Sequence, residues 1–407
     1  MSETKAVAET ANGQQGTPGE VFLAFLKLGL TSFGGPIAHL GYFRDELVLR
    51  RKWIDEKGYA DLVALSQFLP GPASSQVGFA LGLLRGGPLG ALAAWAAFTL
   101  PSALLLLIFA IGASAFEGPI GQGIIEGLKI VAVAIVAHAV WGMARSLAPD
   151  RERATIALGA VLIAILVAGS FGQVAAILVG GLAGLIVCRQ AGAAVSGHVE
   201  FPVSRTFGAV CLAVFIALLI GLPLAAAVVP SQALAVFDSF YRAGSLVFGG
   251  GHVVLPLLEA EVVRTGWVTP SEFLAGYGAA QAVPGPLFTF AAYLGAVLGP
   301  EPNGLAGAMI ALVAVFLPGF LLLIGVIPFW DAFRARPSAQ ALMRGANAAV
   351  VGILGAALYD PVFTSAVVGP LQFALALTCF VLLMAWKAPP WTVVIVAAIG
   401  GALIGLA

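Results

Sequence analysis

The stretch Gln67-Phe68-Leu69-Pro70-Gly71-Pro72 has a counterpart 214 residues further along the chain, Gln281-Ala282-Val283-Pro284-Gly285-Pro286. Each copy follows a glycine-rich break, which reads Ser32-Phe33-Gly34-Gly35-Pro36 in the first half and Val247-Phe248-Gly249-Gly250-Gly251 in the second. Glycine pairs and prolines interrupt helices, because they loosen the backbone or remove its hydrogen bonds. Helix breaks at matching positions of two apolar halves are the best sequence indication of a transporter's binding site.

The composition indicates an integral membrane protein. Of the 407 residues, 60% are hydrophobic and only 10% are charged, and the mean hydropathy is +1.01. Soluble domains carry about 25% charged residues. Four uncharged stretches exceed the roughly 20 residues that a membrane-spanning helix needs: residues 86–116, 154–188, 206–237 and 302–330. Because the alternating pattern of barrel strands is absent, we predict an all-α polytopic membrane protein.

The same sequence argues against several classes of function. The net charge is zero, so nothing suggests a nucleic-acid partner. Cys188, Cys211 and Cys379 are isolated in apolar runs, so no cysteine pair is spaced for metal binding or redox chemistry. The motifs of zinc proteases, P-loop nucleotide sites and serine hydrolases are missing. We therefore expect no enzyme activity, no cofactor and no metal, and transport that runs on an ion gradient.

The repeat predicts a tail, two halves and a linker. Residues 1–19 are polar, lack the apolar core of a signal peptide and are expected to form a disordered cytoplasmic tail. Residues 20–190 are expected to form the first repeat, 191–235 a linker with one transmembrane helix, and 236–407 the second repeat. Because the linker span is single, we expect the second repeat to be inverted about an axis in the membrane plane.

Positively charged residues predict the orientation. With a cytoplasmic N-terminus, the following basic residues fall on the cytoplasmic side: Arg145, Arg151, Arg153, Arg189, Arg205, Arg334, Arg336 and Lys387. The basic residues in 44–57 join them if the first broken segment re-enters the membrane, but lie outside if that segment crosses fully. We prefer re-entrant broken segments, which leaves about nine full crossings of the membrane in addition to them.

Each half has one cation about two helical turns before its glycine break. Lys27 and Arg242 occupy these equivalent positions. A charge at membrane depth costs at least about 2.5–3.5 kcal/mol, and such residues usually face a cavity or a partner. The pair suggests an anion site between the halves, where replacing either cation by glutamine would abolish transport. The alternative is that both side chains extend to the membrane interfaces and bind no ligand.

Residues at the breaks and beside the Pro-Gly-Pro segments complete the candidate substrate site. A helix that starts after a break exposes unpaired N–H groups and a positive dipole end, which favour anions. Hydroxyl and amide groups can donate further hydrogen bonds, although local capping explains each of them equally well. Besides the two cations, the candidates are Ser32, Gly34, Gly35, Gln67, Pro70, Gly71, Pro72, Ser74, Ser75, Gln76, Gly249, Gly250, Gln281, Gly285 and Thr289. For Gln67 and Gln281, contact with substrate and bonding to broken backbone both remain open.

Two titratable residues are candidates for proton coupling. Glu126 lies in an apolar span one turn before Lys129, so it could carry a proton or form an interfacial salt bridge with that lysine. His252 adjoins the second break, where it could titrate near neutral pH or form a hydrogen bond at a helix terminus.

Taken together, these motifs resemble the signature of the chromate transporter family. The matching residues are Phe33-Gly34-Gly35-Pro36, Val48, Trp53, Pro70-Gly71-Pro72, Gly82 and Gly90. The echo of this signature resembles the second domain of the family's long members: Phe248-Gly249-Gly250, Trp267 and Pro284-Gly285-Pro286. The resemblance covers about 20–407. It implies a bacterial inner-membrane transporter that exports chromate, is driven by the proton gradient and confers chromate resistance.

The expected function is therefore secondary active export of a tetrahedral oxyanion by a proton antiporter in the lipid bilayer. Sulfate has the same shape and charge as chromate, and none of the candidate residues distinguishes the two ions. An uncoupled anion channel would use the same breaks, and an oligomer is compatible with either function. A membrane-bound chromate reductase is disfavoured, because the chain has no cofactor motif and no cysteine pair.

Overall fold

The computed structural model describes residues 16–112, 118–167, 169–189 and 201–406, and every regular element within them is helical. Six helices there are long and apolar enough to cross a membrane: Ala73–Gly112, Gly118–Leu147, Ser170–Val187, Arg205–Val228, Gly304–Arg334 and Pro337–Ala366. The prediction of an all-α polytopic membrane protein is confirmed. Three further helices, Arg151–Leu166, Pro370–Met384 and Pro390–Leu406, have only 15 to 17 residues, so the expected nine full crossings stay a prediction.

In the first half, helices alternate with the predicted breaks. The helices are α1 (Pro18–Thr31), α2 (Gly35–Phe43), α3 (Glu56–Phe68), α4 (Ala73–Gly112), α5 (Gly118–Leu147), α6 (Arg151–Leu166) and α7 (Ser170–Val187). A π-helical turn, Arg44–Arg50, continues α2. The dihedral angles of Gly86 and Gly87 are not helical, so α4 consists of two segments that meet at a kink.

The second half begins after the linker helix α8 (Arg205–Val228). Its helices are α9 (Gln232–Ser245), α10 (Val254–Val262), α11 (Pro270–Ala280), α12 (Phe290–Ala296), α13 (Gly304–Val326), α14 (Trp330–Arg334), α15 (Pro337–Ala357), α16 (Thr364–Ala366), α17 (Pro370–Met384) and α18 (Pro390–Leu406). Short 3₁₀ turns, Gly251–Val253 and Leu287–Thr289, lead into α10 and α12. Only 6% of the most apolar 18-residue segment of α8 is buried in the protein, so this helix lies at the periphery.

Helix caps show how closely the second half repeats the first. Asp55 caps α3 by accepting a hydrogen bond from the backbone N–H of Gly58. Thr269, 214 residues later, caps α11 by accepting from the N–H of Glu272. A side-chain oxygen at this position satisfies one of the donors that every helix start leaves unpaired, which fixes the first residue of the helix.

The last two helices of each half pack against a helix of the other half. Helix α5 of the first half packs against α17 and α18 of the second, while α15, its counterpart, packs against α6 and α7 of the first. Glycines permit these crossings, as small residues do in membrane helix packing. A Cβ atom at Gly127 would lie 2.1 Å from the carbonyl oxygen of Ala397, and one at Gly345 would lie 2.1 Å from that of Gly180. The pairing is reciprocal, since the corresponding helix of each half contacts the last two helices of the other.

The predicted boundaries fall partly outside the described residues. Of the tail at 1–19, residues 1–15 are not described, and Pro18 and Gly19 already belong to α1 because Thr17 caps that helix. In the linker at 191–235, residues 191–200 are likewise not described. The division into repeats 20–190 and 236–407 stays a prediction.

Candidate functional site

The two glycine breaks lie against each other. Gly34 and Gly35 have φ angles of 101° and 79°, and Gly249 and Gly250 have φ angles of 73° and 144°. These left-handed values favour glycine, since a Cβ atom would clash with the backbone. A Cβ atom built on Gly251 would lie 3.2 Å from Cγ of Pro36, which places the second break beside the first.

Each Pro-Gly-Pro loop is bonded to the glycine break of the opposite half. The N–H of Gly71 donates to the carbonyl oxygen of Val247 at 2.7 Å, and the N–H of Gly285 donates to that of Ser32 at 2.9 Å. Both donors are glycines with positive φ, 122° and 96°. The four broken segments are therefore joined by two reciprocal hydrogen bonds, and the helix contacts between the halves are reciprocal as well.

A small cavity lies between the first break and the second Pro-Gly-Pro loop. Its volume is about 20 Å³, and its wall includes Gly34, Gly35, His252, Gln281 and Gly285. The Nε2 atom of Gln281 is buried and has no hydrogen-bond partner. A buried donor without a partner is costly, so its presence in a cavity wall is typical of a site that receives an acceptor.

Hydroxyl groups on the first-half side also lack partners. The Oγ atoms of Ser32 and Ser75 are buried and unbonded, as is Oγ1 of Thr99 in α4. Ser74 instead lies 3.4 Å from Nδ1 of His39, whose Nε2 atom is buried without a partner. Four polar groups of the first half, those of Ser32, His39, Ser75 and Thr99, are thus buried without a hydrogen-bond partner.

Sequence reasoning did not place Thr99, His39 or Asn347 in the site. Oδ1 of Asn347 is buried without a partner, and it lies 3.6 Å from the Cβ position of Gly249 in the second break. Asn347 is the repeat counterpart of Lys129, and that correspondence was the available signal. Thr99 was harder to select from the sequence, because the hydroxyl of a threonine in an apolar helix normally bonds to a backbone carbonyl of the same helix.

The two predicted cations are held in equivalent ion pairs. Nζ of Lys27 lies 2.7 Å from Oε2 of Glu46. Arg242 bonds both carboxylate oxygens of Glu261 at 2.9 Å and approaches Asp238 at 3.1 Å. Each carboxylate lies 19 residues after its cation. The charge of both cations is therefore balanced within the chain, and a role for them as substrate ligands stays a prediction.

Three other candidates differ in their surroundings. Nε2 of Gln76 donates to the carbonyl oxygens of Pro70 and Gly319, each at 3.0 Å, which fastens the first loop to α13. Thr289 donates to the carbonyl oxygen of Pro286 at 2.7 Å, which is the local capping that the sequence left open. Gln67 is exposed, whereas its counterpart Gln281 lines the cavity.

The two candidates for proton coupling lie in different places. Glu126 accepts a hydrogen bond from Lys129 at 2.7 Å, and it lines a cavity of about 530 Å³ between α5 and the last helices of the chain. His252 lines the small cavity of the breaks, where Nδ1 lies 2.8 Å from the hydroxyl of Tyr277. Of the two, His252 is the one beside the candidate substrate site.

Comparison with known proteins identifies the family. The family described as Chromate transporter matches the chain over residues 19–185 and again over 234–405. The chain belongs to the chromate transporter family. Membership points to a membrane transporter and not to an enzyme.

Relatives that the chain matches over most of their length come from several bacteria. It is 32% identical to a chromate transport protein of Pseudomonas aeruginosa over 395 residues, or 94% of this chain and 90% of the relative. It is 28% identical to a chromate transport protein of Cupriavidus metallidurans over 99% of this chain and 96% of that one. A probable chromate transport protein of Synechococcus elongatus is 30% identical over 82% of each chain. No solved structure matches the chain.

Proposed function

We propose that this chain is a proton-driven antiporter that exports chromate across the inner membrane and thereby confers chromate resistance. Membership of the chromate transporter family supports the substrate. The observation that carries the mechanism is the cluster of buried donors without partners beside two interlocked helix breaks.

The proposed site binds the oxyanion with neutral donors. Nε2 of Gln281 and the hydroxyls of Ser32 and Ser75 are unbonded, and each can donate to an oxyanion oxygen. The helices that start at Gly35 and Ala73 add unpaired N–H groups and positive dipole ends. Lys27 and Arg242 contribute through the field of their ion pairs or bind the anion directly when those pairs open.

The breaks provide the moving parts of the proposed cycle. A cavity of about 20 Å³ holds roughly one water molecule, and an ion with four oxygens needs more space. We therefore interpret the arrangement as closed. The bonds from Gly71 to Val247 and from Gly285 to Ser32 each join opposite halves, so opening one of them at a time would give access from alternate sides.

The proposed orientation keeps the N-terminus in the cytoplasm and the broken segments re-entrant, with the two repeats inverted about an axis in the membrane plane. The segment 44–57, which contains five basic residues, then lies inside with the other cationic loops, as the positive-inside rule requires. Its counterpart around Glu259 and Glu261 lies outside and is acidic.

Uptake of radiolabelled chromate into proteoliposomes tests this proposal. With a pH gradient, the antiporter accumulates chromate above the external concentration, and an uncoupler abolishes the accumulation. Equilibration without accumulation would identify an uncoupled anion channel instead. Inhibition by an equal concentration of sulfate would show that the natural substrate is the broader class of tetrahedral dianions, because the proposed donors do not distinguish between them.

A further inference from the structure

A further polar cavity lies at the far end of the helix that follows the second break. Its volume is about 440 Å³, and it is bounded by α6, α7, α10 and the end of α15. The polar side chains in its wall are Gln173, Glu259, Arg264, Tyr359 and Asp360. None of them was a candidate for the substrate site.

Glu259 has weaker ion pairing than the other buried carboxylates of the described residues. It is only 6% exposed, yet its Oε2 atom lies 3.6 Å from the nearest cationic nitrogen, that of Arg264. The buried carboxylates of Glu46, Asp61, Asp238 and Glu261 each have a cationic nitrogen within 3.1 Å. A buried carboxylate with a distant cation gains little from being charged, so a proton can bind to it at modest cost.

The cavity is suited to a proton and not to an oxyanion. Gln173 is 7% exposed; it uses Nε2 to donate to the carbonyl oxygen of Pro256 at 2.8 Å, while its Oε1 is buried without a partner. That free oxygen, together with the carboxylates of Glu259 and Asp360, presents acceptors to the cavity. Acceptors repel an anion, but they can bind a water chain or the O–H of a protonated carboxyl group.

The charged and titratable groups around Glu259 come from two elements. Arg264 follows α10, and Asp360 and Tyr359 belong to the π-helical turn Leu358–Phe363. Helices α6, α7 and α15 contribute no titratable side chain to the described wall. Arg264, Tyr359 and Asp360 are exposed, so the rim is accessible to solvent while Glu259 is not.

Helix α10 links this cavity to the substrate site. Glu259 lies seven residues after His252, or about 10 Å along the helical axis at 1.5 Å per residue. His252 lines the small cavity, and Gly249 and Gly250 immediately before it form the second break. Protonation of Glu259 weakens its attraction to Arg264. It also removes the free-energy cost of moving an ionised carboxylate toward the membrane interior, so α10 can shift together with the break.

We propose that Glu259 is the residue that binds the coupling proton, a role that rests on the proposed antiport. A proton from the outer solution adds to the Glu259 carboxylate through the cavity, and the same O–H bond breaks on the cytoplasmic side after the oxyanion has left. The first half lacks this device, because the counterpart of Glu259 is Arg44, whose guanidinium is bonded to Glu56 at 2.7 and 2.9 Å.

Paired transport assays on Glu259→Gln in proteoliposomes test this role. We expect the variant to lose accumulation of chromate driven by a pH gradient, while exchange of internal for external chromate persists and becomes independent of external pH. Exchange also reports that the variant is folded. Glu259→Asp should recover part of the driven accumulation, and Glu301→Gln, which removes an exposed carboxylate elsewhere, should match the wild type.

The other outcomes separate the two proposals. If Glu259→Gln accumulates chromate like the wild type, or loses exchange as well, Glu259 is not the coupling residue. If a sodium gradient drives the wild type and this drive disappears in Glu259→Gln, the bound ion is sodium and the proton assignment is wrong. If no gradient drives the wild type, the antiport itself fails.

Discussion

In the first Pro-Gly-Pro loop, the side chain of Gln76 bonds to the carbonyl oxygen of Pro70 and fastens the loop to Gly319. The counterpart of Gln76 in the second half is Phe290, which cannot make these bonds, and the second loop borders a cavity in which Gln281 is unbonded. The two loops share glycine geometry and reciprocal bonds across the interface. Their side chains differ: Nε2 of Gln76 is bonded and only its acceptor oxygen lacks a partner, whereas the second loop has an unbonded donor, Nε2 of Gln281.

This comparison explains why duplicated sequence need not give two equivalent sites. The shared part is backbone, because positive φ at glycine and an N–H across the interface require no particular side chains nearby. The difference lies in which polar atoms are already satisfied. A group that is fully bonded within the protein has nothing left to offer a ligand.

The largest effect is expected from adding a methyl group to either loop glycine. A Cβ atom at Gly285 would lie 2.8 Å from Oγ of Ser102, and one at Gly71 would lie 3.1 Å from Cα of Gly319. The left-handed conformation adds about 1–2 kcal/mol of strain for alanine. We expect Gly71→Ala and Gly285→Ala each to abolish chromate transport in proteoliposomes.

The matched control for these variants is Gly142→Ala, since that helical glycine has open space around its Cβ position. Gly319 is the repeat counterpart of Ser102, so Ser102→Gly should restore part of the activity of Gly285→Ala. Full transport by both single alanine variants would show that the loops do not hold the two halves together.

The second largest effect separates the two cations. Arg242→Gln leaves Glu261 and Asp238 buried without a cation, and breaking a buried pair in this way costs about 3–5 kcal/mol. Lys27→Gln leaves Glu46 with Arg50 and Arg51, so we expect a loss of about 0–1 kcal/mol. Thermal unfolding in detergent should therefore show a lower midpoint for Arg242→Gln only.

Transport assays on the same two variants test the anion site independently of stability. If both cations act on the substrate, both variants lose transport although only one is destabilised. The double variant Arg242→Gln/Glu261→Gln should regain part of the stability lost in Arg242→Gln. Wild-type transport by Lys27→Gln and Arg242→Gln would exclude the two cations from the substrate site.

A smaller and opposite pair of effects is expected for the two glutamines. Gln76→Ala removes the partner of two buried carbonyl groups, which costs about 1–3 kcal/mol and lowers the unfolding midpoint. Gln281→Ala should leave that midpoint unchanged and raise the Kd for chromate about 10- to 150-fold, because a hydrogen bond to a charged group contributes about 1.5–3 kcal/mol. If instead Gln281→Ala lowered the unfolding midpoint and Gln76→Ala raised the Kd, the first loop would bind the substrate and the second would hold the structure together.

The smallest effect is expected from single cysteines at equivalent exposed positions, which report topology without disturbing transport. Lys57→Cys and Ser271→Cys both lie in the first turn of a capped helix, α3 and α11. We expect an impermeant maleimide to label Lys57→Cys from the cytoplasm and Ser271→Cys from outside. The native cysteines are buried and provide the background control in the wild type. Labelling of both from the same side would contradict the inverted arrangement.

Much of this protein follows from the sequence alone. Composition and uncharged stretches indicate an all-α membrane protein, because backbone N–H and C=O groups must be bonded internally in a bilayer and the alternating pattern of barrel strands is absent. The duplicated glycine and proline positions determine where the helices break, since those residues act locally through their own dihedral angles. The pairing of Glu126 with Lys129 is similarly local, being a contact of one helical turn.

Only the tertiary structure decided which atoms are free. Sequence spacing placed Gln76, Ser75 and Gln281 in one group of candidates. Nε2 of Gln76 is bonded to Gly319 across 243 residues and only its acceptor, Oε1, lacks a partner, whereas Ser75 and Gln281 have unbonded donors. The partners of Lys27 and Arg242, the cavity at Glu259 and the bonds between opposite halves are equally non-local. Periodicity and propensity report on neighbours along the chain. They carry no information on which distant carbonyl or carboxylate completes a hydrogen bond, and that completion separates a scaffold residue from one free to bind a substrate or a proton.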